Sequence, residues 1–385
     1  MPVTTGPEKT PYWHLAVDAG CRAWAVLSNR YHPLCFVTPE EGGLLREYQR
    51  MMAGCALWSE GPDRQIAISG PDAEHFVNSL VTRDLSGRIP VGKARYAVVC
   101  DYTGGIVNDP VVLRIADDEI WLSGHQELLH FARGMQAVAQ FDVTIGEQDV
   151  VPLQIHGPRA REFLSSLVAD GLLDAQALAL TPFTLCRLRL FDLPAIVVCM
   201  PLLGEIGYEV LPFDASQTGE FFWRRLVSLG APHGLSVTGP AYMRRLEAGI
   251  RHYGADINLR VNPFEAGLDW QVDLDKRAFA GMNALQQASL KGVSRRLVPI
   301  QFGGPPVTWF ITDQWRTLQP GSERESGYVT SACYSPVLDC NVGFAMLPSS
   351  SSAPGTRLVL DRPDHGATAA AVVRRPFVAG AAERC

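Results

Sequence analysis

Four carboxylates sit where a glycine-rich backbone would hold them in place. Asp109 follows Gly104-Gly105-Ile106-Val107-Asn108, Glu205 and Glu209 share the run Gly204-Glu205-Ile206-Gly207-Tyr208-Glu209, and Glu265 precedes Ala266-Gly267. The glycine pair after Asp101-Tyr102-Thr103 reads as a hairpin turn, because glycine tolerates the positive φ such turns require. The strand that follows should be half buried, and an Asp within it is either a satisfied turn carboxylate or a placed acid, base or cation stabiliser. One carboxylate accepts two N–H bonds from an aminopyrimidine edge, so acids in such turns suit a polar heterocycle. Each has a plainer reading as well. Glu205 and Glu209 fit solvated hairpin positions, and Arg244, Arg245 and Arg251 fit surface ion pairs. Trp270 and Tyr96 fit core aromatics, and His252 fits a satisfied structural histidine.

Other chemistries lack their signatures. The chain has no G-x-S-x-G, no P-loop and no G-x-G-x-x-G after a strand, which leaves the common hydrolase, kinase and dinucleotide readings without support. Its nine cysteines stand singly, with no CxxC pair and no His-x-x-x-His, so neither a disulfide framework nor a metal site is expected. Cys385 is expected to be the most reactive thiol. A net charge of -6 and the absence of a concentrated basic run argue against nucleic acid and anionic membrane as partners. With no signal-peptide pattern and no apolar run of spanning length, the expected location is cytoplasmic.

At 385 residues, with 47% hydrophobic and 19% charged content, the chain should form two or three domains with sizeable cores. A helix is expected near residues 39–52. A strand, a Gly-Pro break and an amphipathic helix occur at Gln65 to Val81 and return at Leu153 to Val168, which points to a duplicated unit. Each copy is followed by strands, near 95–99, 107–115 and 119–123 after the first and 186–190, 195–200 and 208–212 after the second. Helices near 127–140 and 216–228 complete the copies. A cleft between such halves is a natural ligand site. Thr238 to Ile257 reads as a helix ended by Gly254. From about Ser294, short strands separated by Pro, Gly and Ser clusters indicate a small β-barrel or sandwich, at 296–302, 327–330, 342–346, 357–360 and 369–374.

Taken in order, these segments resemble the aminomethyltransferase family, the T-protein of the glycine cleavage system and its relatives that move one-carbon units to or from tetrahydrofolate. The resemblance rests on Gly104-Gly105-Ile106 with Asp109, Gly204 to Glu209, and Arg245-Leu246-Glu247-Ala248-Gly249-Ile250 with Tyr253-Gly254. Phe279 to Leu285 and the C-terminal stretches Gly327 to Pro336 and Val342 to Ala345 belong to it too. Within the family, Asn108-Asp109-Pro110, Gly61 to Ala73 and Thr82-Arg83-Asp84-Leu85 look more like the dimethylsulfoniopropionate demethylase branch.

The resemblance implies an α+β fold of three domains, with two related α+β halves around a central folate tunnel and a C-terminal β-barrel. The boundaries would be 1–150, with part of the N-terminal segment packing on the second half, then 151–290 and 291–385. It implies a metal-independent transferase, moving a methyl group between a small S-, N- or O-methyl compound and folate N5, with tetrahydrofolate or 5-methyltetrahydrofolate as cofactor. Asp109 would be the catalytic residue. Glu205, Glu209, Arg245, Trp270 and Tyr96 would lie on the folate side, and Asn108 and Tyr208 would touch substrate. The partner is a small methyl donor or acceptor, and a homodimer stays open.

Two departures stand out. Met200-Pro201-Leu202-Leu203 replaces the Gly-Tyr-Ser/Thr usual before the Gly-Glu pair, and Ala241-Tyr242-Met243 replaces a more polar run. The rivals are a true aminomethyltransferase working with a lipoyl carrier, a 5-methyltetrahydrofolate-dependent methyltransferase of specialised metabolism, and a non-catalytic folate-binding protein of the same fold.

Overall fold

The computed structural model describes residues 6–201, 207–374 and 377. Gly204, Glu205 and Ile206 of the Gly204 to Glu209 run, and Cys385, therefore lie outside the described residues. The chain folds into two units, one of Met1–Val77, Leu85–Tyr96 and Pro110–Ala241, the other of Asn78–Asp84, Ala97–Asp109 and Tyr242–Cys385.

The first unit is built on the duplication. Its copies form strand Arg64–Ser69 with helix Ala73–Leu80, and strand Leu153–His156 with helix Ala160–Ala169. In both, the glycine of the Gly-Pro break takes a positive φ, +137° at Gly70 and +126° at Gly157, where an added Cβ would meet backbone. Each copy nucleates its own sheet. The five-stranded antiparallel sheet runs Thr144–Glu147, Arg64–Ser69, Glu119–Gly124, Val111–Ala116, Ala94–Tyr96. The six-stranded sheet runs Thr184–Leu190, Leu193–Cys199, Gly207–Pro212, Leu153–His156, Cys55–Ser59, Leu235–Val237, the last pair parallel.

Strand alternation gives the six-stranded sheet two covered faces. Leu57, Leu153, Ile155, Val197, Tyr208 and Val210 pack with Phe163, Leu164 and Leu167 of one helix and Phe222, Trp223 and Leu226 of helix Ala215–Gly230. On the opposite face Ile196, Val198 and Leu211 meet Ala67, Leu113, Ile115 and Trp121 of the five-stranded sheet. The two halves thus share an apolar layer, as the duplication led us to expect. The N-terminal strand Cys55–Ser59 adds to the second half's sheet.

In the second unit a closed barrel follows the order Arg295–Phe302, Cys340–Pro348, Glu325–Ser335, Trp315–Leu318, Arg357–Arg362, Gly366–Val372. Trp315–Leu318 is the strand the sequence did not announce: it is four residues long and half polar, with Trp315 and Thr317 inward and Arg316 outward. Arg362 is buried between the rings of Phe302 and Trp315 and forks onto Asp364. Nζ of Lys276 donates toward four oxygens at the end of helix Ala73–Leu80: Asn78 O at 2.5 Å, Asn78 Oδ1 at 3.1 Å, Val81 O at 2.9 Å and Arg83 O at 3.0 Å. An ammonium there complements the helix dipole, although burial pushes its pKa down to about 8.

One sequence expectation is corrected. The helix expected to run to Gly254 is only Tyr242–Glu247. Asp256 is fully buried and draws the chain into a loop, accepting from His252 N at 2.9 Å and Arg245 Nη1 at 2.7 Å. Gly249, at φ +74°, makes the break.

The Gly104-Gly105 pair does turn a hairpin, between strands Val99–Cys100 and Ile106–Asn108. Oδ1 of Asp101 accepts from Thr103 N at 2.9 Å, Thr103 Oγ1 at 2.7 Å and Gly105 N at 3.0 Å. A Cβ on Gly105 would lie 2.1 Å from Leu259 O. Gly105→Ala should therefore cost about 1–3 kcal/mol, read as a lowered urea midpoint; an unchanged midpoint would show that this contact yields freely.

Candidate functional site

The polar groups of the first unit collect at one end of the layer between its sheets. The register places Trp58, Gln154 and Glu209 side by side across three neighbouring strands, with His156 two residues along on the same face. Gln65 and Ser123 are paired neighbours on the facing sheet, with Gln65 Nε2 donating to Ser123 Oγ at 2.7 Å. The turn Glu60-Gly61-Pro62-Asp63 joins the two sheets and brings two more acids. Strand alternation alone does not reveal that a second sheet covers these polar positions.

A relay runs through this row. Gln154 Nε2 donates to Glu209 Oε1 at 2.8 Å, and Gln154 Oε1 lies 3.0 Å from His156 Nε2. A carbonyl oxygen only accepts, so His156 carries its proton on Nε2 and leaves Nδ1 as a bare acceptor. That Nδ1 is buried and has no protein partner among the described residues. Burial lowers the pKa of His156 to about 3, so the ring is neutral. Its ring lies 5.0 Å from that of Trp58, and Gly207 makes its space: a Cβ there would fall 2.0 Å from the imidazole.

Glu209 is buried, and desolvation with the nearby Asp63 raises its pKa to about 8. Glu60 accepts from Trp58 Nε1 at 2.8 Å and lies 3.7 Å from His32. Its pKa is raised well above the carboxylate range by burial, with Asp63 and Glu209 adding to the shift. Asp63, 3.8 Å from His125, is also raised by burial. Glu60 and Asp63 nevertheless keep 23% and 33% of their side chains open. Both acids are thus desolvated by their surroundings yet still reachable from solvent.

The other expected site residues are distributed as follows. Tyr96 ends its strand, partly exposed, in the first unit. Tyr208 points to the opposite face from Glu209, in the helix-covered core, with Arg161 Nη1 3.3 Å from its hydroxyl. In the second unit Asn108 is 1% exposed, and its Nδ2 has no partner among the described residues. Asp109, the next residue, is half-buried. Trp270 is 50% exposed, unlike a core aromatic. Arg245 is committed to structure through Asp256, Ile250 O at 3.2 Å and Ser331 Oγ at 2.9 Å, with Tyr242 stacked 4.6 Å away. Glu265 accepts from Asn262 N at 3.0 Å and Arg295 Nε at 2.9 Å. The structure thus brings Glu209 together with Glu60, Asp63 and His156, none of the last three singled out by sequence.

Residues 16–276 match the GCVT N-terminal domain and residues 295–379 the glycine cleavage T-protein C-terminal barrel domain. The chain belongs to the glycine cleavage T-protein family. Among relatives of this T-protein family member, dimethylsulfoniopropionate demethylase of Ruegeria pomeroyi is 29% identical over 93% of this chain and 94% of its own length. An aminomethyltransferase of Rubrobacter xylanophilus is 32% identical over 87% and 86%. The crystal structure of aminomethyltransferase T from Bartonella henselae superposes with a TM-score of 0.81 at 23% identity, over 96% of this chain and 98% of that one. That likeness shows the T-protein fold, with mixed α and β halves and the closed C-terminal barrel. No helix among the described residues is long and apolar enough to cross a membrane.

The raised pKa of Glu209 has a consequence for stability. An unfolded glutamate ionises near 4.5, so between that pH and about 8 the unfolded chain binds fewer protons than the native one, and stability falls as pH rises. Glu209→Gln removes this contribution. The drop in urea-unfolding free energy from pH 5 to pH 8 should shrink in the variant by about 1 kcal/mol or more. An equal drop in both proteins would mean that Glu209 ionises freely.

Proposed function

We propose that this chain is a tetrahydrofolate-dependent methyltransferase or demethylase acting on a small methylated compound. The observation that carries the reading is a built polar site whose buried acceptor, His156 Nδ1, has no partner among the described residues, in a chain of this family. Buried polar groups are ordinarily paired, and an open acceptor beside a carboxylate fits the N–H-rich edge of a pterin. Asn108, whose buried amide nitrogen has no partner among the described residues, offers a donor in the second unit.

When bound, folate would supply N5 as the atom that takes or gives the methyl group. On our reading Glu209 and His156 hold the heterocycle, and Gln154 fixes the proton positions of both. Asp109 orients the methyl-bearing centre and stabilises the positive charge on it, work a fixed carboxylate does with little reorganisation. Tyr96, Trp270 and Glu205 keep the folate-side roles, and Asn108 the substrate-side role, that their match to the family motifs gives them. Arg245 acts through its network as a positioning residue, and Tyr208 supports the strand of Glu209 from the core side. The three-domain division at 150 and 290 and the cytoplasmic location belong to the same proposal.

A second reading is favoured by the relatives named aminomethyltransferase at 30 to 32% identity. Asn108, where the T-protein usually has a second acid, favours methyl transfer instead. Calorimetric titration with tetrahydrofolate and 5-methyltetrahydrofolate tests the folate reading: micromolar binding of either is expected, and none at millimolar concentration overturns it. In the direction so indicated, Asp109→Ala should lower turnover by about 10²-fold or more while folate binding stays. Turnover within about threefold of the unmodified enzyme would remove Asp109 from the chemistry.

A further inference from the structure

Gln154 stands between a carboxylate and an imidazole, and a row of this kind has a direction. Every hydrogen bond needs one donor and one acceptor, and the amide offers oxygen at one end and nitrogen at the other. With Glu209 ionised, the row runs from His156 Nε2–H to Gln154 Oε1 at 3.0 Å, and from Gln154 Nε2 to Glu209 Oε1 at 2.8 Å. A proton on Glu209 opens the reverse direction. Its O–H donates to Gln154 Oε1, Gln154 Nε2 donates to His156 Nε2, and the imidazole carries its hydrogen on Nδ1. The reversal needs a half-turn of the amide about a soft terminal torsion, which exchanges two atoms of similar size. All three side chains are buried, which leaves each dependent on its neighbours in the row.

We propose that Gln154 is a positioning residue that passes the proton state of Glu209 on to His156, so that His156 Nδ1 accepts a hydrogen bond when Glu209 is ionised and donates one when Glu209 is protonated. The second state holds one more proton than the first, and that proton is on Glu209. The imidazole keeps a single hydrogen in both states and changes only the nitrogen that carries it, because burial keeps the ring neutral.

The surroundings of Glu209 place the exchange near neutral pH. Its strand lies between Leu193–Cys199, which faces it with Val198, and Leu153–His156, which faces it with Gln154. Trp58 follows on the next strand and donates to Glu60. The turn Glu60-Gly61-Pro62-Asp63 supplies two acids, with His32 3.7 Å from Glu60 and His125 3.8 Å from Asp63. The facing sheet supplies uncharged Gln65 and Ser123. The cations around this layer are engaged with other acids. Arg30 donates to Gly61 O at 3.2 Å and pairs with Glu8 and Glu147, Arg64 pairs with the same two acids, and Arg187, two strands away on the same sheet face, pairs with Glu119. Among the described residues no cation pairs with Glu209, and burial with Asp63 raises its carboxyl to about 8. The consequence for cofactor capture rests on the folate reading: an N–H-rich edge meets acceptors on both residues only when Glu209 is ionised, so binding releases a proton and tightens as pH rises.

The test is a long-range proton–nitrogen correlation spectrum of the full-length protein labelled with nitrogen-15 histidine, recorded from pH 6 to pH 9 without ligand, with the His156 ring assigned through its backbone correlations. We expect the hydrogen of His156 on Nε2 at pH 9 and on Nδ1 at pH 6, a change of about tenfold or more in the tautomer ratio. Glu209→Gln, which cannot titrate, should hold one ratio throughout. Gln154→Leu should abolish the pH dependence although its Glu209 still titrates. A constant ratio in the unmodified protein overturns the proposal, and so does a change that persists in Gln154→Leu. If that variant fails to fold, Glu209→Gln decides, and a change persisting there overturns the proposal. Calorimetry with tetrahydrofolate separates this relay from the folate reading: affinity should rise about tenfold or more from pH 6 to pH 8 in the unmodified protein and stay within about threefold in Glu209→Gln. A tautomer change in a protein that does not bind tetrahydrofolate upholds the relay and overturns the folate reading. Binding that is insensitive to pH beside a tautomer change upholds the relay and removes Glu209 and His156 from the cofactor site.

Discussion

A carboxylate buried on a sheet face must be answered, and the answer given to Glu209 organises the first unit. One amide, that of Gln154, serves both neighbours: its nitrogen donates to Glu209 and its oxygen receives the proton of His156. With Glu209 ionised, the amide has one productive orientation and the imidazole one tautomer. Leaving any of these groups unpaired would cost about 1–3 kcal/mol. Side-by-side register across three strands is the condition for the row, and Gly207 is what lets the imidazole lie flat against its neighbour.

The second unit solves a comparable problem with ions. Asp256 gathers Arg245, His252 N, Thr330 Oγ1 and Ser331 Oγ, while Glu247 gathers Arg244 and Ser335 Oγ. Two turns of chain around a six-residue helix are thereby wired to the barrel strand Glu325–Ser335. Such pairs are weak evidence for stability, since desolvation offsets much of their attraction. Their clearer effect is geometric: the loop after Glu247 has a single way to satisfy its buried charges.

Much of this architecture was legible in the sequence. The repeat of strand, Gly-Pro break and helix, the strands after each copy and the change of grain near Ser294 all follow from periodicity and punctuation, which local chain chemistry determines. The family motifs, read in order, supplied the fold. The grouping of these polar residues between the sheets was not legible. Glu60 and Asp63 look like a solvated turn, and Gln65, Gln154 and His156 look like the wet side of half-buried strands. Only the pairing of distant strands, which no local pattern encodes, turns those positions inward. Helix Tyr242–Glu247 was overextended for the same reason: its end is set by Asp256 and by Ser331, far along the chain.

Lys276 shows how late in synthesis this protein becomes whole. Its ammonium is satisfied by residues near 80, almost two hundred positions earlier. The unit they share is assembled from three separated pieces of chain. Segments 78–84 and 97–109 leave the ribosome well before the residues that complete their surroundings, and until residue 276 emerges the last carbonyls of helix Ala73–Leu80 lack their ammonium cap. Loop closure over such separations makes folding slow relative to local structure. A chain ended short of residue 276 would therefore carry segments 78–84 and 97–109 without the residues that complete their unit.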